Sequence, residues 1–157
     1  MIGTAGSTTR HRDHRPLLVN GAVRLGLAAR DRWDAIDQVG RTFREIGATN
    51  DKYSADMRKR ELRASTYIGE NVAVPHGPYE ENHHIHHPAL VVLQFPDGVE
   101  WDGAEVNLCI GIAATGDEQI GLLCGLGQIL IEGSSAAELR EASDLENVMR
   151  LMRPVSC

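Results

Sequence analysis

Residues Glu70–Gly77 have the sequence ENVAVPHG, a short apolar run followed by Pro, His and Gly. Its short β-branched run predicts a strand that stops at Pro75, because proline has no backbone donor for a sheet ladder. His76 is therefore expected in a loop just past a strand end. Gly77 has no Cβ, so an anion could approach the imidazole closely and the Gly77 N–H could point at it. The stretch predicts either a nucleophilic histidine at a sheet edge or, as in most loops, a solvated or capping histidine.

The composition excludes several classes of function. The chain has 157 residues, enough for one domain with a real core, and its 42% hydrophobic and 24% charged residues are typical of a globular protein. The net charge of −6 argues against nucleic acid as the main ligand, since phosphate backbones are bound through a surplus of Lys and Arg. An acidic surface would suit a basic protein partner. No apolar run approaches the ~18 residues of a membrane span, so direct membrane insertion is not expected.

The cysteines and the start of the chain bear on location. Cys109, Cys124 and Cys157 are odd in number and share no CxxC spacing, which predicts reduced thiols in a cytoplasmic protein, two of them buried. Residues 1–20 carry little to bury and lack the pattern of a secretory signal, so they are expected to form a flexible leader. Residues 21–154 are expected to form one domain.

Hydrophobic periodicity predicts alternating strands and helices in the first half of the chain. Apolar residues alternate over Val23–Leu27, which is a strand signal. The period then changes to that of a helix between a cap at Asp31 and a stop at Gly47. A second helix is expected from a cap at Asn50 or Asp51 to about Leu62.

The second half predicts a hairpin followed by helices. Ala89–Phe95 is an apolar strand, Pro96–Gly98 has turn chemistry, and Val99–Trp101 leads back. Val106–Ala114 is the most apolar strand and is placed centrally. A helix after Gly116 is expected to pack through Ile120, Leu123, Leu126 or Gly127, and Leu130, and Ser135 and Ser143 open two shorter helices. The fold class is therefore α/β, a single-domain sandwich with a mixed, mostly parallel central sheet flanked by helices on both faces.

Four motifs in order resemble one known family, the mannitol/fructose-type (type-2) IIA domain of the bacterial sugar phosphotransferase system. The match runs from about Ala22 to about Met152. The motifs are Arg60-Glu61, STYIGENVAVPHG at 65–77, QFPDGVEW at 94–101 and VNLCIGIAA at 106–114. The sequence VPHG alone would be unspecific. Four motifs in this order and at this spacing are specific to the family.

The resemblance implies a phosphotransferase component that works through a phosphohistidine. His76 would accept a phosphoryl group from the phosphocarrier protein HPr and pass it to a cysteine of a IIB domain, for uptake of a sugar or sugar alcohol. Arg60, sixteen positions before His76 as in the family pattern, would neutralise phosphoryl charge; the alternative is that it serves only the electrostatics of a helix end. No cofactor and no metal are expected, and the sequence is compatible with either imidazole nitrogen as the nucleophile.

The chain departs from the family pattern at Gln119, where mannitol-type members carry a second histidine. Gln119 is expected to donate an amide hydrogen bond to a phosphoryl oxygen, at the first turn of a helix where free N–H groups favour an anion. Together with Arg60 and Gly77 it completes the predicted phosphate-binding set. The missing histidine leaves open slower transfer, or a regulatory module that signals its phosphorylation state to a transcription factor or kinase.

Four histidines between Pro78 and Pro88 form the remaining candidate site. His83, His84, His86 and His87 could share faces of an extended chain and bind zinc or nickel. The alternative, a solvated loop, is favoured because prolines bound the run and no carboxylate pattern supports a metal.

Overall fold

The computed structural model describes residues 15–131 and 133–156. Within them, one sheet of five strands is combined with five α-helices. The strands are β1 (Val23–Arg24), β2 (Tyr67–Gly69), β3 (Val72–Ala73), β4 (Ala89–Trp101) and β5 (Ala104–Ala113). The helices are α1 (Arg32–Glu45), α2 (Tyr53–Arg63), α3 (Gly116–Ile131), α4 (Gly133–Glu141) and α5 (Leu145–Ser156). A mixed α/β fold is confirmed.

The strands follow the order β1-β4-β5-β3-β2 across the sheet. β1 is parallel to β4 and β3 is parallel to β5, whereas β4 and β2 are antiparallel to β5 and β3 respectively. The sheet therefore has two parallel and two antiparallel strand pairs and is not mostly parallel. The two antiparallel pairs arise because β2–β3 and β4–β5 are each joined by a tight turn. The central position predicted for the apolar strand β5 is confirmed.

The hairpin turn lies at Asp102-Gly103 and not at Pro96–Gly98 as predicted. Both turn residues have positive φ, 52° and 91°, as a two-residue hairpin turn that matches the strand twist requires. β4 continues through the Pro-Asp-Gly stretch, which forms an irregularity between Gln94 and Val99. Pairing then resumes at Val99 with Val106, so a bulge occupies the place of the expected turn.

Helices cover both faces of the sheet, as predicted. Every residue of β4 from Ala89 to Phe95 is buried, which requires cover on both sides because successive side chains point to opposite faces. α1 packs on β4 and β5 with α2 beside it, and α4 packs on the same two strands in contact with α3 and α5. The predicted cap of α1 is confirmed, since the Asp31 carboxylate accepts from the Asp34 N–H at 2.8 Å.

Three local predictions change. The buried face of α3 is formed by Gln119, Leu122, Leu126 and Leu130, so the helix is rotated from the predicted face and Ile120 is 47% exposed. Cys109 is buried as predicted, but Cys124 is exposed; both are free thiols, and Cys157 lies outside the described residues. β1 is shorter than Val23–Leu27 because Gly26 turns the chain with φ +67°.

The boundary predicted at residue 20 also shifts. Most of the expected leader, residues 1–14, lies outside the described residues. Leu18, however, is 1% exposed and belongs to the core, and the Leu17 carbonyl accepts from the Leu90 N–H at 2.8 Å. The packed part of the chain therefore begins before residue 21.

In the part of the chain that the structure describes, no single helix is long and apolar enough to cross a bilayer. The sequences of α3 and most of α4 meet that test only when taken together, across a bend of 97°.

Candidate functional site

β3 and the residues after it bring His76 to the end of the sheet. The Pro75 carbonyl accepts from the Ile112 N–H at 3.0 Å, and His76 lies beside Ile112 in a single parallel bridge. Proline lacks a donor but keeps its acceptor, so Pro75 does not end the pairing as the sequence suggested. His76 is consequently held against β5 and is not carried on a free loop.

The imidazole of His76 is largely buried but faces a cavity. The residue is 6% exposed, and it lines a surface depression of about 430 Å³. Its Nδ1 lies 2.7 Å from the Val74 carbonyl oxygen. A carbonyl only accepts, so Nδ1 carries the proton and Nε2 keeps its lone pair in the neutral ring.

The surroundings of His76 favour the neutral imidazole. Burial lowers the pKa of His76 below its usual value, the bond to the Val74 carbonyl partly offsets this, and the positive charge of Arg60 lowers the pKa further. At neutral pH the ring is therefore uncharged and nucleophilic.

Two arginines share this cavity with His76. Arg60 and Arg63 both line it, one turn apart at the end of α2. Arg60 is half-buried as a residue, and its guanidinium donates to the Ala64 carbonyl at 2.8 Å in an exposed hydrogen bond at the end of the helix. Arg63 is exposed and forms no hydrogen bond or ion pair with any described residue. Motif spacing predicts a role only for Arg60, and nothing in the sequence distinguishes Arg63 from other charges near a helix end.

Gly77 does not present its N–H to the cavity. That N–H is donated to the Tyr53 hydroxyl at 2.9 Å, and the same hydroxyl donates to the Ile112 carbonyl at 2.8 Å. A Cβ at Gly77 would lie 2.8 Å from a ring carbon of Tyr53, so the glycine makes room for this aromatic ring. The prediction that Gly77 offers an N–H to an anion is therefore corrected: its donor is already used within the protein.

Gln119 lines the cavity, but its amide also faces the protein. Its Nε2 lies 3.1 Å from the Gly77 oxygen, 3.2 Å from the Pro78 oxygen and 3.0 Å from the Ala114 oxygen. An NH₂ group has two hydrogens, and three carbonyls already compete for them. In this structure the amide therefore bonds the loop after His76 to the start of α3, and the donation to a phosphoryl oxygen stays a prediction.

Glu61, beside Arg60, is a buried carboxylate whose role the sequence did not reveal. It is 2% exposed and accepts from the Thr66 N–H at 3.0 Å and from the Trp101 indole at 2.9 Å. Arg32 lies 3.7 Å away. These contacts tie the end of α2 to the start of α1, to the segment before β2 and to the end of β4, so Glu61 supports the helix turn that carries Arg60.

Two histidines of the cluster bond to the protein through their imidazoles, and two are exposed. His84 Nδ1 lies 2.6 Å from a carboxylate oxygen of Asp56 on α2, and His87 Nδ1 lies 3.1 Å from the Pro88 carbonyl oxygen, whereas His83 and His86 are exposed. Among the described residues, no group of three or more His, Cys, Asp or Glu side chains could hold a metal ion.

A family model matches residues 17–154 of this chain, and its description is phosphoenolpyruvate-dependent sugar phosphotransferase system, EIIA 2. A multiphosphoryl transfer protein of Xanthomonas campestris is 38% identical over 123 residues; these make up 78% of this chain but only 15% of that protein. The mannitol-specific phosphotransferase enzyme IIA component of Staphylococcus aureus is 30% identical, with 86% of this chain and 94% of that protein aligned.

Among solved structures, a similar one is enzyme IIA for mannitol in its complex with phosphorylated enzyme IIB from Escherichia coli. It superposes with a TM-score of 0.78 at 29% identity, covering 85% of this chain and 94% of that chain.

Proposed function

The chain belongs to the EIIA 2 family of the phosphoenolpyruvate-dependent sugar phosphotransferase system, and we propose that it carries the phosphoryl group on Nε2 of His76. Membership makes it a phosphoryl-carrying component of that system. The observation that carries the proposal about His76 is its geometry: Nδ1 is engaged with Val74, while the ring lines a cavity shared with Arg60.

The proposed reaction consists of two phosphoryl transfers, the first from a donor nitrogen to Nε2 and the second from Nε2 to a sulfur. The lone pair of Nε2 attacks the phosphorus of a phosphohistidine donor; the new N–P bond forms as the old one breaks, and its electron pair returns to the donor nitrogen. In the second step a thiolate attacks the same phosphorus, and the electron pair returns to Nε2. The Nδ1 proton stays in its hydrogen bond to the Val74 carbonyl throughout, so the ring is cationic while Nε2 is phosphorylated and is neutral again after the second step.

Arg60 is proposed to stabilise the charge of the phosphoryl group in flight. Phosphoryl transfer depends mainly on positioning and on cations near the equatorial oxygens. Arg60 is close enough to His76 to lower its pKa, and its bond to Ala64 limits the motion of the guanidinium. Gln119 and Gly77, whose donors serve the protein, are proposed to hold the loop and not to bind phosphate.

The proposed partners follow from the relatives. HPr is proposed as donor and a IIB cysteine as acceptor, supported by the similar mannitol IIA whose structure is a complex with phosphorylated IIB. Uptake of mannitol or a related sugar or sugar alcohol is proposed from the name of the Staphylococcus relative.

The proposed location is the cytoplasm, because phosphoenolpyruvate is made inside the cell. In that compartment the exposed Cys124 thiol would stay reduced.

The test is phosphorylation by phosphoenolpyruvate, enzyme I and HPr. Intact-protein mass spectrometry should show one added phosphoryl group that is lost in acid and retained in base, as expected of a phosphohistidine. His76→Ala should abolish the addition. The matched control His83→Ala removes an exposed histidine of the same chain and should be labelled like the wild type.

Two outcomes would contradict the proposal. Labelling that persists in His76→Ala would remove His76 from its role. Failure of labelled wild-type protein to pass its phosphoryl group to a cognate IIB domain would remove the carrier function in transport.

A further inference from the structure

The Tyr53 hydroxyl lies between β5 and the chain segment that contains His76. In a regular parallel ladder, the bond following Ile112 N–H to Pro75 carbonyl would run from the Gly77 N–H to the Ile112 carbonyl. The Tyr53 hydroxyl is hydrogen-bonded to both of these groups, accepting from Gly77 at 2.9 Å and donating to Ile112 at 2.8 Å. One side chain therefore bonds both strands immediately beside His76.

The Tyr53 phenol is held firmly in this position. It is fully buried, and its ring meets that of Phe43 edge-on with centroids 5.7 Å apart. Burial raises its pKa, so the hydroxyl keeps the proton that it donates to Ile112. Gly77, without a Cβ, allows the ring to come this close.

Tyr53 and Arg60 belong to the same helix and the same face of it. They are seven residues apart on α2, two helical turns or about 10 Å along the axis, and the fully packed Met57 lies between them. The first turn of α2 is thus bonded to the residue after His76, and its last turn bears the guanidinium that lines the cavity. The distance between imidazole and guanidinium is set through this helix.

We infer that Tyr53 is a positioning residue for phosphoryl transfer: through its bonds to Gly77 and Ile112, its hydroxyl keeps α2 and Arg60 in register with the His76 imidazole. The inference rests on the proposed carrier function. Tyr53 does not touch the phosphoryl group. It maintains the distance between the Arg60 guanidinium and the His76 imidazole, and through that distance the stabilisation of the phosphoryl group by Arg60. A loss of alignment should therefore reduce the transfer step more than docking of the donor protein.

The test compares Tyr53→Phe with Tyr67→Phe. Each variant removes one phenolic hydroxyl that accepts a backbone N–H; for Tyr67 the donor is Asn71, at 3.2 Å, in the tight turn between β2 and β3. With phosphorylated HPr as donor, Tyr53→Phe should lower the maximal rate about tenfold or more and leave the half-saturating HPr concentration within about twofold. Tyr67→Phe should match the wild type in both.

A second measurement does not depend on phosphorylation. In ¹H–¹⁵N spectra, Tyr53→Phe should shift the amide signals of His76, Gly77 and Ile112, while the dispersion of the spectrum shows that the protein is folded. Should Tyr53→Phe not fold, Gly77→Ala tests the same contact from the other side, since its Cβ would push the Tyr53 ring away; it should lower the maximal rate in the same manner.

The outcomes separate this inference from the proposed function. An unchanged Gly77 amide signal in Tyr53→Phe would overturn the contact, whatever the transfer assay gives. A shifted signal with wild-type transfer, or an equal loss in Tyr67→Phe, would overturn the positioning role while the carrier function stands. Wild-type protein that accepts no phosphoryl group would instead refute the proposed function and, with it, the role that rests on it.

Discussion

Two guanidinium groups line the cavity beside His76, and the structure holds them differently. Arg60 is half-buried, and its guanidinium is hydrogen-bonded to the Ala64 carbonyl. Arg63 is exposed and bonded to no described residue, so it is free to move toward a group on His76. A phosphoryl group with about two negative charges can use both cations. In the proposed mechanism, both cations share this charge.

The first prediction concerns Arg63. Arg63→Gln should lower the rate of phosphorylation by HPr about twofold to fivefold, since an exposed charge contributes up to about 1 kcal/mol. The effect should shrink at high salt, which screens exposed charges. Lys59→Gln is the control, because it removes one positive charge from an exposed position of the same helix that does not line the cavity. Equal losses in both variants would show a general effect of net charge and not a contact.

At single positions, the sequence predicted the residue types better than their hydrogen bonds. Motif spacing predicts roles for His76 and Arg60, and the structure brings these two residues to one cavity. The partners of Gly77 and Gln119 were not, because they depend on tertiary approach: the acceptor for Gly77 is Tyr53, 24 residues earlier in the chain. Tyr53 belongs to none of the four motifs, so nothing in the sequence predicts its contact with Gly77.

Among the elements, α3 supplies hydrogen-bond donors to the carbonyls of the loop after His76. Pro75 and Pro78 lack backbone N–H groups, and the loop carbonyls at Gly77 and Pro78 need donors that the loop itself cannot supply. Gln119, in the first turns of α3, provides them from its buried amide. The start of α3 is bound to the same loop by the main chain, since the Gly116 N–H donates to the Tyr79 carbonyl at 2.7 Å.

The second prediction tests this support. Gln119→Glu replaces the amide donor by a carboxylate that faces three carbonyl oxygens, so the free energy of unfolding at neutral pH should fall by roughly 3 kcal/mol. The loss should be smaller near pH 4, because the buried carboxyl has a raised pKa and its protonated form can donate one bond. Gln128→Glu, an exposed site on the same helix, is the control in urea unfolding. Equal stability of the two variants would refute the supporting role of Gln119.

The position of the turn in the β4–β5 hairpin could not be predicted from the sequence. Pro96–Gly98 and Asp102-Gly103 both have turn chemistry, and the local signal does not rank them. The tertiary context does: the Trp101 side chain is fully buried, and its indole donates to the buried Glu61. This contact requires residues 99–101 to stay in the sheet, which moves the turn past Trp101.

At the scale of the whole molecule, a buried ionisable group at the site links function to stability. The domain keeps His76 at 6% exposure beside an arginine, an arrangement that favours a neutral nucleophile. Unfolding releases the imidazole to water, where its pKa returns to about 6.5. The conditions that protonate His76 are therefore the ones under which the folded state loses stability.

The third prediction follows from this linkage. Since the pKa of His76 is lowered in the folded state, the unfolded chain binds more protons as the pH falls below about 6.5. The contribution of His76 to the free energy of unfolding should be fully present above that pH, decrease by at most about 1.4 kcal/mol per pH unit, and level off below the folded-state pKa. Urea unfolding of wild type and His76→Gln between pH 5 and 8 measures this contribution as the difference between the two curves. His83→Gln, at an exposed position, is the control for the general effect of removing a histidine. If the free energy of unfolding of His76→Gln runs parallel to that of the wild type over this pH range, burial of the imidazole is not linked to folding.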